Sequence, residues 1–240
     1  MRARGMSERA IAMESGIPRA TIRYWLHPPV GHQRASREGC FRCDESRWVL
    51  TSSYAYLLGL YLGDGYLALH PRDVWRLRIF QDARYSDLID LCREVMGSIS
   101  GTRVGVVQRP GCVEINSYWK HWLHLFPQHG RGRKHERGIA LEPWQEEIVA
   151  ACPKEFIRGL VHSDGCRSIN RIWYDSPVEG SRQYAYPRYL FTNASDDIRG
   201  LFTVACDQLG VRLTTTNART VAISRRDDVE FLDTFIGPKS

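Results

Sequence analysis

The chain has 240 residues, of which 43% are hydrophobic and 25% are charged, close to the averages of globular proteins. No apolar run approaches the roughly 18 residues that a membrane-spanning helix needs, and the N-terminus does not resemble a signal peptide. We therefore expect a cytoplasmic protein that does not bind membranes. The net charge of +6 favours an anionic partner such as nucleic acid. The 29 arginines suit phosphate binding, although a GC-rich genome would give the same enrichment.

Residues 1–28 are predicted to form an all-α helix-turn-helix module that binds DNA. Ser7 is suited to cap a first helix, Gly16 to form the turn, and Pro18 to open a second helix. The second helix would present polar and basic side chains to a major groove and its phosphates, namely Arg19, Thr21, Arg23 and Tyr24. A helical scaffold that does not touch DNA is the alternative.

Residues 29–53 have the composition of a linker, and they contain a CxxC pair. Cys40 and Cys43, together with His27 and His32 upstream, form a candidate tetrahedral zinc site that would hold the linker in one shape. The alternative is that the histidines only flank a turn, since there is no second CxxC pair. The seven cysteines show no secreted-type spacing, which indicates a reducing compartment.

A short phrase occurs twice, one hundred residues apart. Residues 57–65 read LLGLYLGDG and residues 157–165 read IRGLVHSDG, each an apolar helical run that ends in Asp-Gly. The helix dipole disfavours an acidic residue at a helix C-terminus by a few tenths to about 1 kcal/mol. We therefore expect both carboxylates to be held for a ligand, for which a divalent metal is the obvious candidate. Carboxylates that merely cap the following turns are the alternative.

The region 54–240 alternates helices and strands in two matching halves, with proposed boundaries at 54–140 and 141–240. The first half is predicted to hold strands at 65–69, 74–81, 103–108 and 112–117, with helices near 85–97 and 118–125. The second is predicted to hold strands near 166–174, 184–192, 211–216 and 219–225, with helices at 195–209 and 227–236. The fold class is therefore α+β, with an internally duplicated αββαββα unit.

The two phrases resemble the LAGLIDADG motif, and the duplicated pattern is similar to single-chain LAGLIDADG (DOD-type) homing endonucleases over residues 54–240. The resemblance implies a pseudo-two-fold fold with two saddle-shaped antiparallel sheets that lie along the DNA major groove. Leu62 and His162 stand where the family name has its earlier Asp, a variable position.

Small residues one turn apart on each motif helix would let the two helices pack backbone to backbone; they are Gly59, Gly63, Gly159 and Ser163. Such packing would bring Asp64 and Asp164 together, where two carboxylates can share Mg²⁺ or Mn²⁺ for phosphodiester hydrolysis. The candidate metal ligands are Asp64, Asp164, Gly63 and Ser163.

Basic residues are expected beside these carboxylates and along the sheets. Segment 130–137 resembles the Gly-x-Lys stretch that precedes the second motif in intein-type members, which makes Lys134 the first catalytic candidate and Arg137 the second; a solvated charge run is the alternative. The outward-facing DNA-binding candidates on the strands, each equally compatible with a solvated surface residue, are Arg76, Arg78, Arg167, Arg171, Arg188 and Arg212.

The predicted function is Mg²⁺-dependent, site-specific cleavage of double-stranded DNA by a monomer, because both halves of the active site lie in one chain. A DNA-binding regulator that has lost cleavage is the main alternative, and retention of both aspartates favours the nuclease. An RNA maturase-type binder is a third interpretation, which the helix-turn-helix disfavours.

Overall fold

The computed structural model describes residues 7–15, 51–176, 180–237 and 239. Two compact units are distinguished, Met1–Glu38 and Gly39–Ser240. In the first unit, helix α1 spans Glu8–Ser15, and the Ala10 amide donates a hydrogen bond to Ser7 Oγ at 3.2 Å, as expected of a capping residue. The predicted second helix with Arg19, Thr21, Arg23 and Tyr24 lies outside the described residues, as do the zinc candidates His27, His32, Cys40 and Cys43.

The second unit contains two successive series of elements joined by a connecting stretch. The first series is α2 (Thr51–Asp64), β1 (Gly65–His70), β2 (Val74–Asp82), α3 (Ser86–Ser100), β3 (Val104–Arg109), β4 (Cys112–Trp119) and α4 (Trp122–Leu125). The connecting stretch holds a 3-10 turn (Lys134–Glu136) and α5 (Pro143–Ala151). The second series is α6 (Pro153–Asp164), β5 (Gly165–Ser176), β6 (Gly180–Thr192), α7 (Asp196–Gln208), β7 (Thr214–Asn217), β8 (Thr220–Ile223) and α8 (Arg226–Asp233).

Each series forms an antiparallel four-stranded sheet with the same strand order. The first sheet runs β1-β2-β4-β3 and the second runs β5-β6-β8-β7. The registers also match, because Gly65 pairs with Ile79 in the first sheet and Gly165 pairs with Phe191 in the second. Each Asp-Gly step therefore carries the chain from a helix directly into the same position of its sheet. The predicted α+β class and internal duplication are confirmed.

The alternation of side chains along the strands places the core on one face of each sheet. In the first sheet, Leu67 pairs with Leu77 and Ile79 pairs with Ile115, and all four are fully buried. Helix α3 packs against the first sheet and α8 against the second. The opposite face of each sheet is not covered by these helices, and we call these two faces the open faces.

The predicted strand at 211–216 begins only at Thr214, and three further differences from the sequence-based elements concern a helix, a hairpin and an additional helix. The helix predicted at 118–125 begins only at Trp122, because Tyr118 and Trp119 continue β4 by pairing with β2. The β5–β6 hairpin is longer than expected. Helix α5 was not predicted, although Pro143 occupies its first turn, where proline is favoured.

None of the helices within the described ranges is long and apolar enough to span a bilayer.

Candidate active site

Helices α2 and α6 pack against each other through their backbones. A Cβ atom on Gly59 would lie 2.6 Å from the carbonyl oxygen of Phe156, and one on Gly159 would lie 3.0 Å from the Cα of Gly59. Both positions overlap backbone atoms that cannot rotate away. Glycine at these two positions is therefore the condition for the close approach of the helices.

The same packing brings the two motif carboxylates together at the ends of the helices. Asp164 Oδ2 lies 2.9 Å from the position that a Cβ on Gly63 would occupy, one residue before Asp64. Burial and the neighbouring charge of Asp164 raise the pKa of Asp64 to about 7. Burial raises the pKa of Asp164 as well, although a hydrogen bond from Asn193 opposes the rise. Two partly buried carboxylates that repel each other favour a bound cation.

Lys134 caps the C-terminal end of α2. Its Nζ donates to three consecutive backbone carbonyl oxygens, those of Tyr61, Leu62 and Gly63, the last two at 3.0 Å. Burial lowers its pKa to about 8, while the charges of Asp64 and Asp164 act in the opposite direction. The first catalytic candidate from the sequence thus lies beside both carboxylates.

Lys239 occupies the equivalent place at the end of α6, and it was not predicted from the sequence. Its Nζ donates to the carbonyl oxygens of Gly165 at 2.5 Å and Ser163 at 3.4 Å. Burial lowers its pKa, and Asp64 opposes the change. A signal was present in the sequence, because Gly-x-Lys occurs at 132–134 and again at 237–239. Both glycines have a positive φ, 81° at Gly132 and 75° at Gly237.

An amide side chain that was also not predicted contacts one of the carboxylates, and the first half has an equivalent amide. Asn193 Nδ2 donates to Asp164 Oδ2 at 2.6 Å, while Asn193 Oδ1 accepts from the Ser195 amide at 2.8 Å. The matching strand registers make Gln81 the equivalent residue in the first half. Gln81 is 5% exposed, and its Nε2 has no hydrogen-bond partner among the described residues. The sequence did contain a sign of this equivalence, because an amide residue directly follows each of the two equivalent strand segments, 76–80 and 188–192.

Arg137, the second catalytic candidate, lies next to this group. Its positive charge opposes the rise that burial causes in the pKa of the Tyr61 hydroxyl. Its Nε and Nη1 are buried, and within the described part of the chain they have no hydrogen-bond partner. These unmet donors are suited to a phosphate oxygen.

The oxygen donors at this place fit a hard divalent cation. Asp64 and Asp164 supply carboxylates, and the carbonyls of Gly63 and Ser163, the other two metal candidates, accept from the lysines at the same helix ends. Across residues 7–15, 51–176, 180–237 and 239, no cluster of three or more His, Cys, Asp or Glu is positioned for a metal. The two carboxylates and two carbonyl oxygens suit Mg²⁺, which typically binds one or two carboxylates and keeps water and phosphate as further ligands.

The six strand and loop arginines proposed for DNA binding divide between the two sides of the sheets. Arg76, Arg78 and Arg188 lie on the open faces, opposite the strand positions that form the core. Arg167 binds Asp233 at 2.8 Å, and Arg212 binds Asp228 at 2.9 Å, so both are paired with carboxylates of α8. Strand alternation puts Arg171 on the same face as Arg167.

Comparison with family models and with curated protein sequences gives no match. Among solved structures, variants of the homing endonuclease I-DmoI match with a TM-score of 0.50 and 18% identity over 79% of this chain and 93% of theirs. An I-DmoI variant in complex with its target DNA and in the presence of Mn matches with a TM-score of 0.50 and 17% identity over 79% and 96%. The N-terminal LAGLIDADG domain of DUF199/WhiA matches with a TM-score of 0.49 and 13% identity over 78% and 82%. The chain has the LAGLIDADG homing endonuclease fold.

Proposed function

We propose that this protein is a site-specific DNA endonuclease that hydrolyses phosphodiester bonds with Mg²⁺ or Mn²⁺. The observation that carries the proposal is the pair of partly buried carboxylates at the ends of two packed helices, with one lysine at each helix end. A structural role alone does not account for two mutually repelling acids at this place. The similarity in fold to an endonuclease solved with target DNA and Mn supports the same conclusion.

In this proposal each group at the site has a distinct task. Asp64 and Asp164, aided by the backbone carbonyls, hold the cation, which when bound lowers the pKa of water and neutralises charge on the leaving oxygen. Asn193 fixes the orientation of the Asp164 carboxylate. Lys134 and Lys239 place positive charge where the negative charge of the phosphate increases during hydrolysis.

The two open faces form the proposed DNA-binding surface. Antiparallel ribbons fit a major groove, and Arg76, Arg78 and Arg188 lie on these faces. Because both Asp-Gly helix ends belong to one chain, we propose that the protein cleaves as a monomer, each half serving one DNA strand. We do not include Arg167 and Arg212 in this surface, because α8 carboxylates bind them.

The test is cleavage of a plasmid library containing randomised sites, with Mg²⁺. The wild type should linearise a subset of plasmids, from which sequencing gives the target. Asp64→Asn and Asp164→Asn should abolish cleavage while leaving binding to that target, measured in Ca²⁺ by gel shift, largely intact. Asp207→Asn, which changes an exposed acid on α7, is the matched control and should cleave normally.

Two results would contradict the nuclease. One is full cleavage by either site variant, and the other is a wild type that binds specific DNA but never cuts it with Mg²⁺ or Mn²⁺. The second result would favour the DNA-binding regulator instead.

A further inference from the structure

A buried glutamate on the open face of the first sheet gathers three arginines. Glu114 on β4 is 0% exposed. Its Oε1 accepts from Arg76 Nη2 at 2.5 Å, and its Oε2 accepts from Arg78 Nη2 at 2.8 Å and from Arg109 Nη2 at 3.0 Å. We call these four residues the arginine cluster. Its formal charge is +2, so it retains a net attraction for nucleic acid.

The surrounding side chains hold the arginines in fixed positions. Arg76 lies over the Tyr118 ring at 5.3 Å and Arg78 over the Phe80 ring at 5.0 Å. Burial alone would raise the pKa of Glu114, but the arginine hydrogen bonds outweigh it and keep that pKa below its usual value. Replacing a buried ion-pair network by apolar residues is often neutral for stability. Orientation of the guanidiniums is therefore the better explanation for Glu114.

The cluster also leaves hydrogen-bond donors unmet. Arg76 Nε, Arg78 Nε and the adjacent Asn116 Nδ2 are buried, and none has a partner among the residues that the structure describes. A guanidinium has only donors, so its partner must supply acceptors. These buried atoms do not face solvent, but 19% of the Arg76 side chain and 27% of the Arg78 side chain are exposed, and only Nη2 of each binds Glu114. The exposed guanidinium edges are therefore suited to a ligand edge that carries several acceptors.

The equivalent surface of the second sheet is different. The matching registers place Leu190 at the position of Arg78, Thr220 at that of Glu114, and Ala222 at that of Asn116. Of Arg76 and Arg78, only Arg76 has a counterpart of the same type, Arg188. The two halves share a backbone arrangement but present unlike chemistry to a ligand.

We propose that the arginine cluster is a base-reading site, in which Glu114 orients Arg76 and Arg78 to recognise guanine in the half of the target that the first sheet binds. Guanine presents two acceptors, N7 and O6, in the major groove, whereas adenine presents one acceptor and one donor. Among the described residues of the second sheet there is no such cluster, so the two half-sites of the target must differ. This inference rests on the proposed DNA binding and names the base that one half recognises.

The experiment is selection of random-sequence duplex DNA by the full chain, in Ca²⁺ so that bound DNA is not consumed. The wild type should select an asymmetric site with guanine fixed in one half. Glu114→Gln should lower that guanine preference by about tenfold without weakening binding to non-specific DNA, because the variant carries one negative charge fewer. Loss of structure would weaken both. Arg188→Gln, the matched variant in the second sheet, should alter only the other half.

Arg78→Lys gives a second readout, since it keeps the charge but loses the guanidinium fork. An unchanged guanine preference in Glu114→Gln, with thermal unfolding showing that the variant is folded, would overturn the inference; if that variant does not fold, an unchanged preference in Arg78→Lys would do so. A symmetric wild-type site would also overturn it. If the selected DNA is not cut in Mg²⁺ but the guanine preference depends on Glu114, the nuclease proposal fails and the inference stands. Absence of any DNA binding overturns both.

Discussion

At the scale of the residue, the Asp64 carboxylate is retained at a cost to stability. Its pKa in the folded protein is about 7, against 3.8 for the unperturbed group. The folded state therefore binds more protons than the unfolded state between these values, and stability must fall as the pH rises from about 4 to 7. The ionised Asp64 carboxylate therefore lowers the stability of the folded protein unless a bound cation compensates its charge.

We accordingly expect Asp64→Asn to stabilise the protein when a chelator is present. The gain should be a few kcal/mol at most, since one pKa unit corresponds to about 1.4 kcal/mol. It should be largest above pH 7 and disappear near pH 4. Urea unfolding at several pH values measures it, with Asp207→Asn as the control. A gain that is greatest in acid would contradict the assigned pKa direction.

The two lysines give a second prediction at this scale. Because Lys134 binds the end of α2 and Lys239 the end of α6, each should serve a different DNA strand. Lys239→Met should slow cleavage of one strand by about a hundredfold, so that nicked plasmid accumulates before linear product. Lys134→Met should slow cleavage of the other strand instead, so that the nick lies in the opposite strand from the nick that Lys239→Met leaves. Gel analysis of end-labelled target distinguishes the strands, and equal slowing of both strands by either variant would argue against the division.

The sequence predicted the two aspartates and Lys134 at this site, but not Lys239, Asn193 or Gln81. The aspartates were found because they end a repeated phrase. Lys239 lies 75 positions after Asp164, and only the folded chain shows that both Gly-x-Lys segments return to a helix end. Asn193 directly follows β6 and Gln81 lies near the end of β2. Their equivalence follows from the strand register rather than from residue type.

At the scale of the element, the approach of α2 and α6 depends on glycine. Gly159→Ala should destabilise the protein by about 1–3 kcal/mol, because the new methyl group would overlap backbone atoms of α2. This cost exceeds the roughly 1 kcal/mol that alanine gains over glycine in a helix.

Gly200→Ala in α7 is the matched control, since a Cβ there meets nothing within 4 Å among the described residues. It should stabilise the protein by up to about 1 kcal/mol. Thermal unfolding of the two variants should therefore shift in opposite directions. Equal shifts would mean that α2 and α6 separate easily.

Most elements of the duplicated region follow from the sequence, because apolar residues repeat with the strand period and glycines mark the turns. The predicted end of a strand was wrong where pairing with a neighbouring strand outweighed the local helical pattern. Tyr118 and Trp119 belong to a segment predicted as helix, yet β2 extends far enough to pair with both. No local pattern encodes the length of a partner strand.

At the scale of the whole molecule, residues 1–50 carry nine arginines against five acidic residues. Deleting them should weaken DNA binding and flatten its salt dependence, by about 0.9 in the log–log slope for each phosphate that the protein no longer neutralises. Cleavage should persist, because Asp64 and Asp164 remain. Titration at several salt concentrations measures the slope. An unchanged slope would mean that this segment does not touch DNA and would favour the scaffold interpretation of residues 1–28.

The duplication of the backbone was predictable from the sequence, but the difference between the two open faces was not. Strand alternation assigns a residue to a face only when the register is known, and three of the six arginines proposed to face outward lie on the other side of their sheet or bind α8. Glu114 gave no signal, since a single acid within a strand is ordinarily a surface residue.

The packing of α2 against α6 has a consequence for the integrity of the chain. The two halves are joined covalently only through the stretch between α4 and α6, where Arg131 and Arg133 are exposed. A protease nick there would separate the polypeptide without separating the helices, and Lys134 would then reach the α2 carbonyls from a different fragment. The folded protein should therefore survive as a non-covalent complex of two pieces, and two separately produced fragments should reconstitute it.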